Sequence, residues 1–373
     1  MPVFIDSKAP DHPLTRGEAG NRSRPLSDRA RAMPNCMNVG LINNMPDSAL
    51  ISTERQLFDL LNASAGRMLV RLRLYTLPMI PRNDWGRQYM CRHYFELDDL
   101  WGRDLDGIIV TGTEPRASHL AEEPYWGVLG KVIDWAKDHT ISSVWSCLAV
   151  HGAVLYLDGI DRRQLGNKCI GIFDHTRAFD HPLMQEAPAQ LRIPHSRWNE
   201  IREEALVPKG YNVLTRSTDA GVDMFIKQQK NSLFVFFQGH PEYDTHSLLG
   251  EYRRDIGRFL RHEIEFYPTM PKGYFDDHAE QLLKIFQKRA LLDRRGELLA
   301  SFPTERVAAN LKNSWHAEAK CIYRNWIRYI SDRKSRRPRS VTAIRNSCTV
   351  DSASELGLSI MKLSRSIRSS SYH

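Results

Sequence analysis

Short, almost wholly apolar runs recur along the chain, separated by longer stretches in which apolar residues return every three or four positions. Met37-Asn38-Val39-Gly40-Leu41-Ile42-Asn43, Leu105-Asp106-Gly107-Ile108-Ile109-Val110, Ile141-Ser142-Ser143-Val144-Trp145-Ser146 and Leu233-Phe234-Val235-Phe236-Phe237-Gln238 read as strands. Near-continuous hydrophobicity is what strands covered on both faces require, as in a parallel sheet. Leu69-Val70-Arg71-Leu72-Arg73-Leu74-Tyr75 alternates instead, which predicts a strand with Arg71 and Arg73 on a solvated face or edge. Between these strands the spacing predicts helices: one from Ser52-Thr53 burying Leu57, Phe58, Leu60 and Leu61, and one over 125–138 burying Leu129, Val132, Ile133 and Trp135. A third, over 247–262, buries Leu248, Leu249, Tyr252, Ile256 and Phe259. Strand and helix patterns in this alternation predict an α/β protein with a mostly parallel central sheet flanked by helices.

The remaining segments are less regular. Residues 78–101 read as a polar, aromatic loop region, Lys168-Cys169-Ile170-Gly171-Ile172-Phe173 as a strand, and Asp174-His175 and Asp180-His181 as solvated loop positions without a third ligand for a metal. Tyr211-Asn212-Val213-Leu214 and Met224-Phe225-Ile226 are strand-like. A charged helix over 277–299 inside an insert at 268–303, and a helix over 314–329 anchored by Trp315, Ile322 and Trp326, are expected to pack on the main body as C-terminal helical additions. The domain reading is therefore a loose arm at 1–36, a main domain at 37–330 and a basic, serine-rich tail at 331–373, expected to be disordered.

Chemistry concentrates where the Val144 strand reaches Cys147 and then reads on as a helix start through Leu148-Ala149-Val150. A strand that turns sharply into a helix lifts one side chain above the sheet edge while first-turn N–H groups point at the same place. The strand ending at Gln238 delivers Gly239-His240-Pro241-Glu242 to the same rim, so Cys147, His240 and Glu242 could form a relay of thiol, imidazole and carboxylate. A buried structural Cys147 with a surface His240-Pro241 turn weighs about evenly against it on the residues alone. Gly112, directly after a strand, lets backbone approach a ligand and is a candidate wall of the site. Ser196 could donate a hydrogen bond, and Arg197 could grip a carboxylate with its planar fork.

Composition narrows the possibilities. Six cysteines, at 36, 91, 147, 169, 321 and 348, form no CxxC pair, so a zinc ribbon and a disulfide framework are both disfavoured and no metal is expected. The formal charge is +8, but 332–373 holds nine Lys/Arg against three Asp/Glu, which is +6 and leaves +2 for everything before it. The basic signal is local and nucleic acid is not an expected partner. With no membrane-length apolar run and no secretory pattern, the expected location is cytoplasmic.

The ordered set of motifs resembles the homoserine O-acyltransferase family, in its homoserine O-succinyltransferase-like branch with a class I glutamine-amidotransferase-like fold. The likeness starts at Val39-Gly40-Leu41-Ile42-Asn43-Asn44-Met45-Pro46 and Glu54-Arg55-Gln56-Leu57, and is strongest at Cys147-Leu148-Ala149-Val150, Pro194-His195-Ser196-Arg197, Gly239-His240-Pro241-Glu242-Tyr243-Asp244 and the stretch 251–255. It spans roughly four fifths of the chain. The resemblance implies that Cys147 takes an acyl group from acyl-CoA and passes it to an amino acid hydroxyl, with His240 as base oriented by Glu242. It also implies that Lys168 and Ser196, with Arg197 nearby, line the substrate or coenzyme surface, and that Arg254 grips the amino acid carboxylate. Gly112, Thr113, Glu114 and Leu148 would form the oxyanion and acyl pocket. No permanently bound cofactor is implied; acyl-CoA is a co-substrate, and a homodimer without membrane contact is expected.

Two departures stand out. Asp47-Ser48 follows Pro46 where the family usually has a lysine, and Thr113-Glu114-Pro115-Arg116 occupies the loop that sorts acyl donors in the family. Glu114 would repel a succinyl carboxylate and favour acetyl, whereas Arg116 argues for succinyl; the balance is read as acetyl, with homoserine or serine as acceptor. Two rival readings accompany this one: a glutamine amidotransferase or amide hydrolase using the same three residues, and an inactive interaction protein acting through its basic tail.

Overall fold

The computed structural model describes residues 2–15 and 36–336. After β1 (Val3–Asp6), strands β2 (Cys36–Ile42), β3 (Leu69–Tyr75), β4 (Gly107–Val110) and β5 (Ser142–Ser146) are joined through helices α1 (Leu50–Ser64), α2 (Asp84–His93), α3 (Leu97–Trp101) and α4 (Trp126–His139). After β5 come α5 (Leu148–Asp158), a long hairpin of β6 (Arg163–Arg177) and β7 (Gln190–Glu200), and the short α6 (Glu203–Leu206). Then follow β8 (Asn212–Val213), β9 (Thr215–Ser217), β10 (Gly221–Val222) and a second hairpin of β11 (Met224–Gln229) and β12 (Ser232–Phe237). The described chain closes with α7 (Ser247–Leu260), α8 (Asp277–Leu292), α9 (Thr304–Ala308) and α10 (His316–Arg336).

The main sheet has the order β1-β3-β2-β4-β5-β12-β11-β8 and is parallel from β1 through β12, with β11 and β8 added antiparallel. Its central strands β4, β5 and β12 are buried at every residue, as two-faced cover demands. One face packs Leu57, Leu61, Ile322 and Trp326 from α1 and α10, and the other packs Leu129, Val132, Val150 and Val154 from α4 and α5. A separate apolar cluster joins Ile170 and Ile172 of β6 to α7, α8 and Trp315. The mostly parallel α/β reading holds.

The structure differs from the sequence reading at several places. Val3–Asp6 is not loose: it pairs parallel with β3, and Arg73 bonds Asp6 and Asp99 at 2.8 Å each instead of facing solvent. Residues 78–101 contain α2 and α3, because Tyr89, Met90 and His93 turn one face of α2 into the core and Asn83 caps its start. His175, expected in a solvated loop, is fully buried in β6. The 277–299 helix ends at Leu292 and gives way to a 3-10 turn, while α10 runs six residues beyond 330 to Arg336. Most of the expected arm, 16–35, and most of the expected tail, 337–373, lie outside the described residues.

Candidate active site

The strand β5 ends at Ser146, and the next residue, Cys147, has φ 53° and ψ −118°. For a residue with a Cβ this is a strained backbone, which persists only where its surroundings fix it. Two features fix it: the Cys147 N–H donates to the Phe237 carbonyl at 2.9 Å, and the Cys147 carbonyl accepts the Val150 N–H at 3.0 Å as α5 begins. The half-buried thiol therefore stands at the start of α5, whose first N–H groups have no helical partner. Gly112, after β4, packs against this turn so closely that a Cβ there would lie 2.8 Å from the Leu148 nitrogen.

Register brings the second component in. Phe237 of β12 pairs with Ser146 of β5, so the loop leaving β12 emerges beside the loop that carries Cys147. The Gln238 amide locks that loop by donating to the Val222 and Ile201 carbonyls at 2.7 and 3.0 Å and accepting the Ile201 N–H at 2.7 Å. The His240 N–H donates to the Pro194 carbonyl at 2.8 Å, its Nδ1 lies 2.8 Å from Glu242 Oε1, and its ring stacks on Tyr243 at 4.2 Å. Burial alone would push the His240 imidazole down, but the charges and hydrogen bonds of Cys147 and Glu242 outweigh it and hold the ring well above its ordinary value. An imidazole favoured toward its protonated form between a sulfur and a carboxylate is the arrangement a nucleophile relay needs.

Beside the relay sits a polar cluster centred on Glu251 of α7. Its carboxylate accepts from the Ser196 and Tyr243 hydroxyls and lies 3.4 Å from Lys168 Nζ, which also bonds Asp255 at 2.7 Å. Burial opposes ionisation of Glu251, yet Lys168 and the two hydroxyls hold it below the usual carboxylate range. Arg254 is half-exposed, bonds Asp255 Oδ1 at 3.2 Å, and feels the charge of exposed Glu114 from the loop after Gly112. Lys168, Ser196 and Arg254 thus meet in one cluster. The sequence reading gave no role to Glu251, Asp255 or Tyr243; Glu251 and Asp255 are four apart on one helix face, a spacing that signals a shared partner.

Arg197 is a correction. It lies on the opposite face of β7 from Ser196, is 4% exposed, and gives its N–H groups to the carbonyls of Asn199 and Ala220 and to His195. Period-two alternation forces this: with Ser196 toward Glu251, its neighbour must point away. A cavity of about 640 Å³ on the Arg197 side also takes in Lys168 and Cys169, but none of Cys147, His240 or Glu242 lines it. Asp47 accepts the Asn83 N–H at 2.7 Å and pairs with Arg82 at 3.1 Å, so it ties the loop after β2 to the start of α2. Arg82 in turn donates to the Met45 carbonyl at 2.5 Å, placing a guanidinium on that loop. Across the loop, the Asn44 main-chain N–H donates to the Thr111 hydroxyl at 2.8 Å and its side-chain amide to the Thr111 carbonyl at 3.1 Å, joining the loop to the Gly112 wall.

A doubly covered parallel sheet carries a strained cysteine at a helix start, with a histidine and glutamate from the loop after a neighbouring strand beside it, an arrangement that α/β enzymes can use for nucleophilic chemistry. The family model described as homoserine O-succinyltransferase matches residues 2–336. The chain belongs to the homoserine O-succinyltransferase family and is an amino acid O-acyltransferase. It is 42% identical over 327 residues to a homoserine O-succinyltransferase from Rhodopseudomonas palustris, covering 88% of this chain and 98% of that one. A homoserine O-succinyltransferase from Bradyrhizobium japonicum is 44% identical over 306 residues, covering 82% and 93%. A glutamine amidotransferase structure from Thermotoga maritima is similar with a TM-score of 0.47 and 10% identity, covering 79% of this chain and 98% of that one. No helix among the described residues is long and apolar enough to cross a membrane.

Proposed function

We propose that the protein transfers a succinyl group from succinyl-CoA to the side-chain hydroxyl of homoserine through a thioester on Cys147. The observation that carries this reading is the Cys147, His240 and Glu242 relay, in a chain whose relatives are named homoserine O-succinyltransferases. The Cys147 sulfur attacks the thioester carbonyl, with His240 holding its proton. The tetrahedral oxyanion is met by first-turn N–H groups of α5 at Leu148, and expulsion of the coenzyme thiolate, which takes a proton from His240, leaves the acyl-enzyme. His240 then removes the proton of the acceptor hydroxyl, which attacks the enzyme thioester and regenerates the Cys147 thiol. Glu242 keeps the imidazole oriented and stabilises its cation.

On the acceptor side, Arg254 takes the amino acid carboxylate, and Lys168 and Ser196 shape the same surface through Glu251. The names of the relatives point to succinyl, against the acetyl preference suggested by Glu114. The charge of Glu114 falls on Arg254 of the acceptor cluster, which relieves the conflict, while exposed Arg116 on the same loop remains free to meet the succinyl carboxylate. Thr113 and Gly112 complete that wall. Initial rates with succinyl-CoA or acetyl-CoA, against homoserine, serine or no acceptor, test the assignment: succinyl-CoA with homoserine should exceed every other pair by at least about tenfold in kcat/KM. A preference for acetyl-CoA would overturn the donor, and glutamine hydrolysis without acyl transfer would overturn the reaction.

A further inference from the structure

Behind the His240 loop lies a buried group of ionisable side chains that the acyl-transfer steps do not use. His175 of β6, His195 and Arg197 of β7, and Asp223 just before β11 are at most 4% exposed. Their hydrogen bonds run in one direction. His175 Nδ1 lies 3.1 Å from the Phe173 carbonyl, which only accepts, so Nδ1 carries the proton and Nε2 is an acceptor. His195 Nε2 sits 3.2 Å from that Nε2 and must donate, which leaves His195 Nδ1 to accept from Arg197 Nε at 3.3 Å. The tautomers inferred from this network make both rings neutral, and burial pushes both imidazoles down in agreement.

Asp223 closes the group. Its Oδ1 accepts the Gly239 N–H at 2.7 Å and lies 3.8 Å from His195 Nε2, while Oδ2 is buried without a partner. Burial pushes the Asp223 carboxyl up, while the Gly239 N–H and the Arg197 and His240 charges work against that; because the Gly239 N–H donates to Oδ1 and a carboxylic proton on Oδ2 would find no acceptor, the geometry suits the carboxylate. Gly239 immediately precedes His240, and a Cβ there would come within 2.8 Å of Asp223 Oδ1, the Ile193 side chain and the Pro194 carbonyl. The charged and titratable groups around His240 are Cys147 at the head of α5, Glu242 and Tyr243 on its own loop, Glu251 of α7, His195 of β7, and Asp223. Those around Asp223 are His175, His195, Arg197 and His240.

We propose that Asp223 is a positioning residue for His240: through Gly239 it fixes the main chain that carries the imidazole, and its carboxylate charge adds to that of Glu242 in favouring the imidazolium beside Cys147. This rests on the reading of Cys147 and His240 as a nucleophile and its base. The test is NMR titration of the full-length protein labelled at histidine rings, with His240 assigned by comparison with His240→Gln. Asp223→Asn keeps an oxygen for the Gly239 N–H and removes the charge, so the His240 midpoint should fall by about one pH unit while kcat falls about tenfold at unchanged KM. An unmoved midpoint in folded Asp223→Asn overturns the proposal. His175→Gln leaves the Asp223 charge in place and should leave the midpoint where it was; a fall as large as that of Asp223→Asn would also overturn it. The unmutated protein supplies a check that needs no variant fold: at pH 7 His175 should carry its proton on Nδ1 and His195 on Nε2, and a cationic ring at either position contradicts the network. Cys147→Ala separates the two levels, because a His240 midpoint indifferent to Cys147 would break the nucleophile pair itself.

Discussion

The N–H of Cys147 donates to the carbonyl of Phe237 at 2.9 Å, so the last residue of β12 fixes the backbone of the residue that opens α5. His240 is three residues further along from Phe237. One inter-strand hydrogen bond therefore sets the sulfur and the imidazole relative to each other, although 93 residues separate them in the chain. Strain at Cys147 is held by this bond and by the first turn of α5, which keeps the thiol raised above the sheet edge.

Glu242→Gln keeps a side chain of the same shape beside His240 Nδ1 and removes a negative charge. The His240 cation is favoured despite burial by Cys147 and Glu242, so losing Glu242 lowers the pH at which the imidazolium gives up its proton. The basic limb of the pH dependence of kcat/KM should move to lower pH, with kcat down by about 10²-fold. A pH–rate profile from steady-state kinetics checks the direction.

Gly112→Ala should lose most of its activity without being unfolded. The added methyl would meet the Leu148 nitrogen at 2.8 Å and its Cβ at 3.0 Å, so either the α5 start or the loop after β4 must move away from where the oxyanion forms. A loss of about 10²–10³ in kcat is expected, the scale of removing one oxyanion donor. Circular dichroism and a thermal melt close to wild type alongside that loss would place the effect at the site.

Glu251→Gln tests the acceptor cluster through stability as well as rate. In the folded protein Glu251 is held below the usual carboxylate range, so its charged contacts with Lys168, Ser196 and Tyr243 stabilise the fold above that range. That stabilisation is lost as pH falls through the folded-state value. The variant should lose roughly 3 kcal/mol at pH 7 and show a raised homoserine KM, and its deficit in melting temperature should shrink toward the acid side.

The end of α10 decides where the chain can be cut. Lys334 Nζ bonds Asp106 Oδ2 at 2.7 Å and the Cys36 carbonyl at 2.9 Å, while burial pushes the Asp106 carboxyl up and Lys334 opposes that. A protein ending at Arg336 should retain wild-type acyl transfer. One ending at Ile330, the boundary expected from the sequence, should lose about 2 kcal/mol in denaturant unfolding, less than a fully buried pair because Lys334 is 30% exposed.

These residues also show how far the sequence could be read. The strands β2, β4, β5 and β12 announce themselves because burial on both faces leaves no polar alternation, and Cys147 and His240 stand at the ends of two of them. Ser196 and Arg197 both read toward the site, although strand alternation excludes this: a side chain aimed at the site turns its neighbour away. α2 was not legible, because Trp85, Arg87 and Arg92 make its exposed face look like loop, and only contacts of Tyr89 and Tyr94 with buried Glu54 of α1 show why it packs. Val3–Asp6 is too short to carry a period of its own. The Asp223, His195 and His175 group joins residues of β6, β7 and the link between β10 and β11 across about 50 positions, and no local pattern signals it.

Intact-protein mass spectrometry after mixing with succinyl-CoA reads the Cys147 thioester itself. One succinyl group should be added at Cys147 and none in Cys147→Ala, and the adduct should disappear within one turnover when homoserine is supplied. Product formation by Cys147→Ala at the wild-type rate, or steady turnover of wild type with no trappable acyl-enzyme and no dependence on that sulfur, would contradict that thioester.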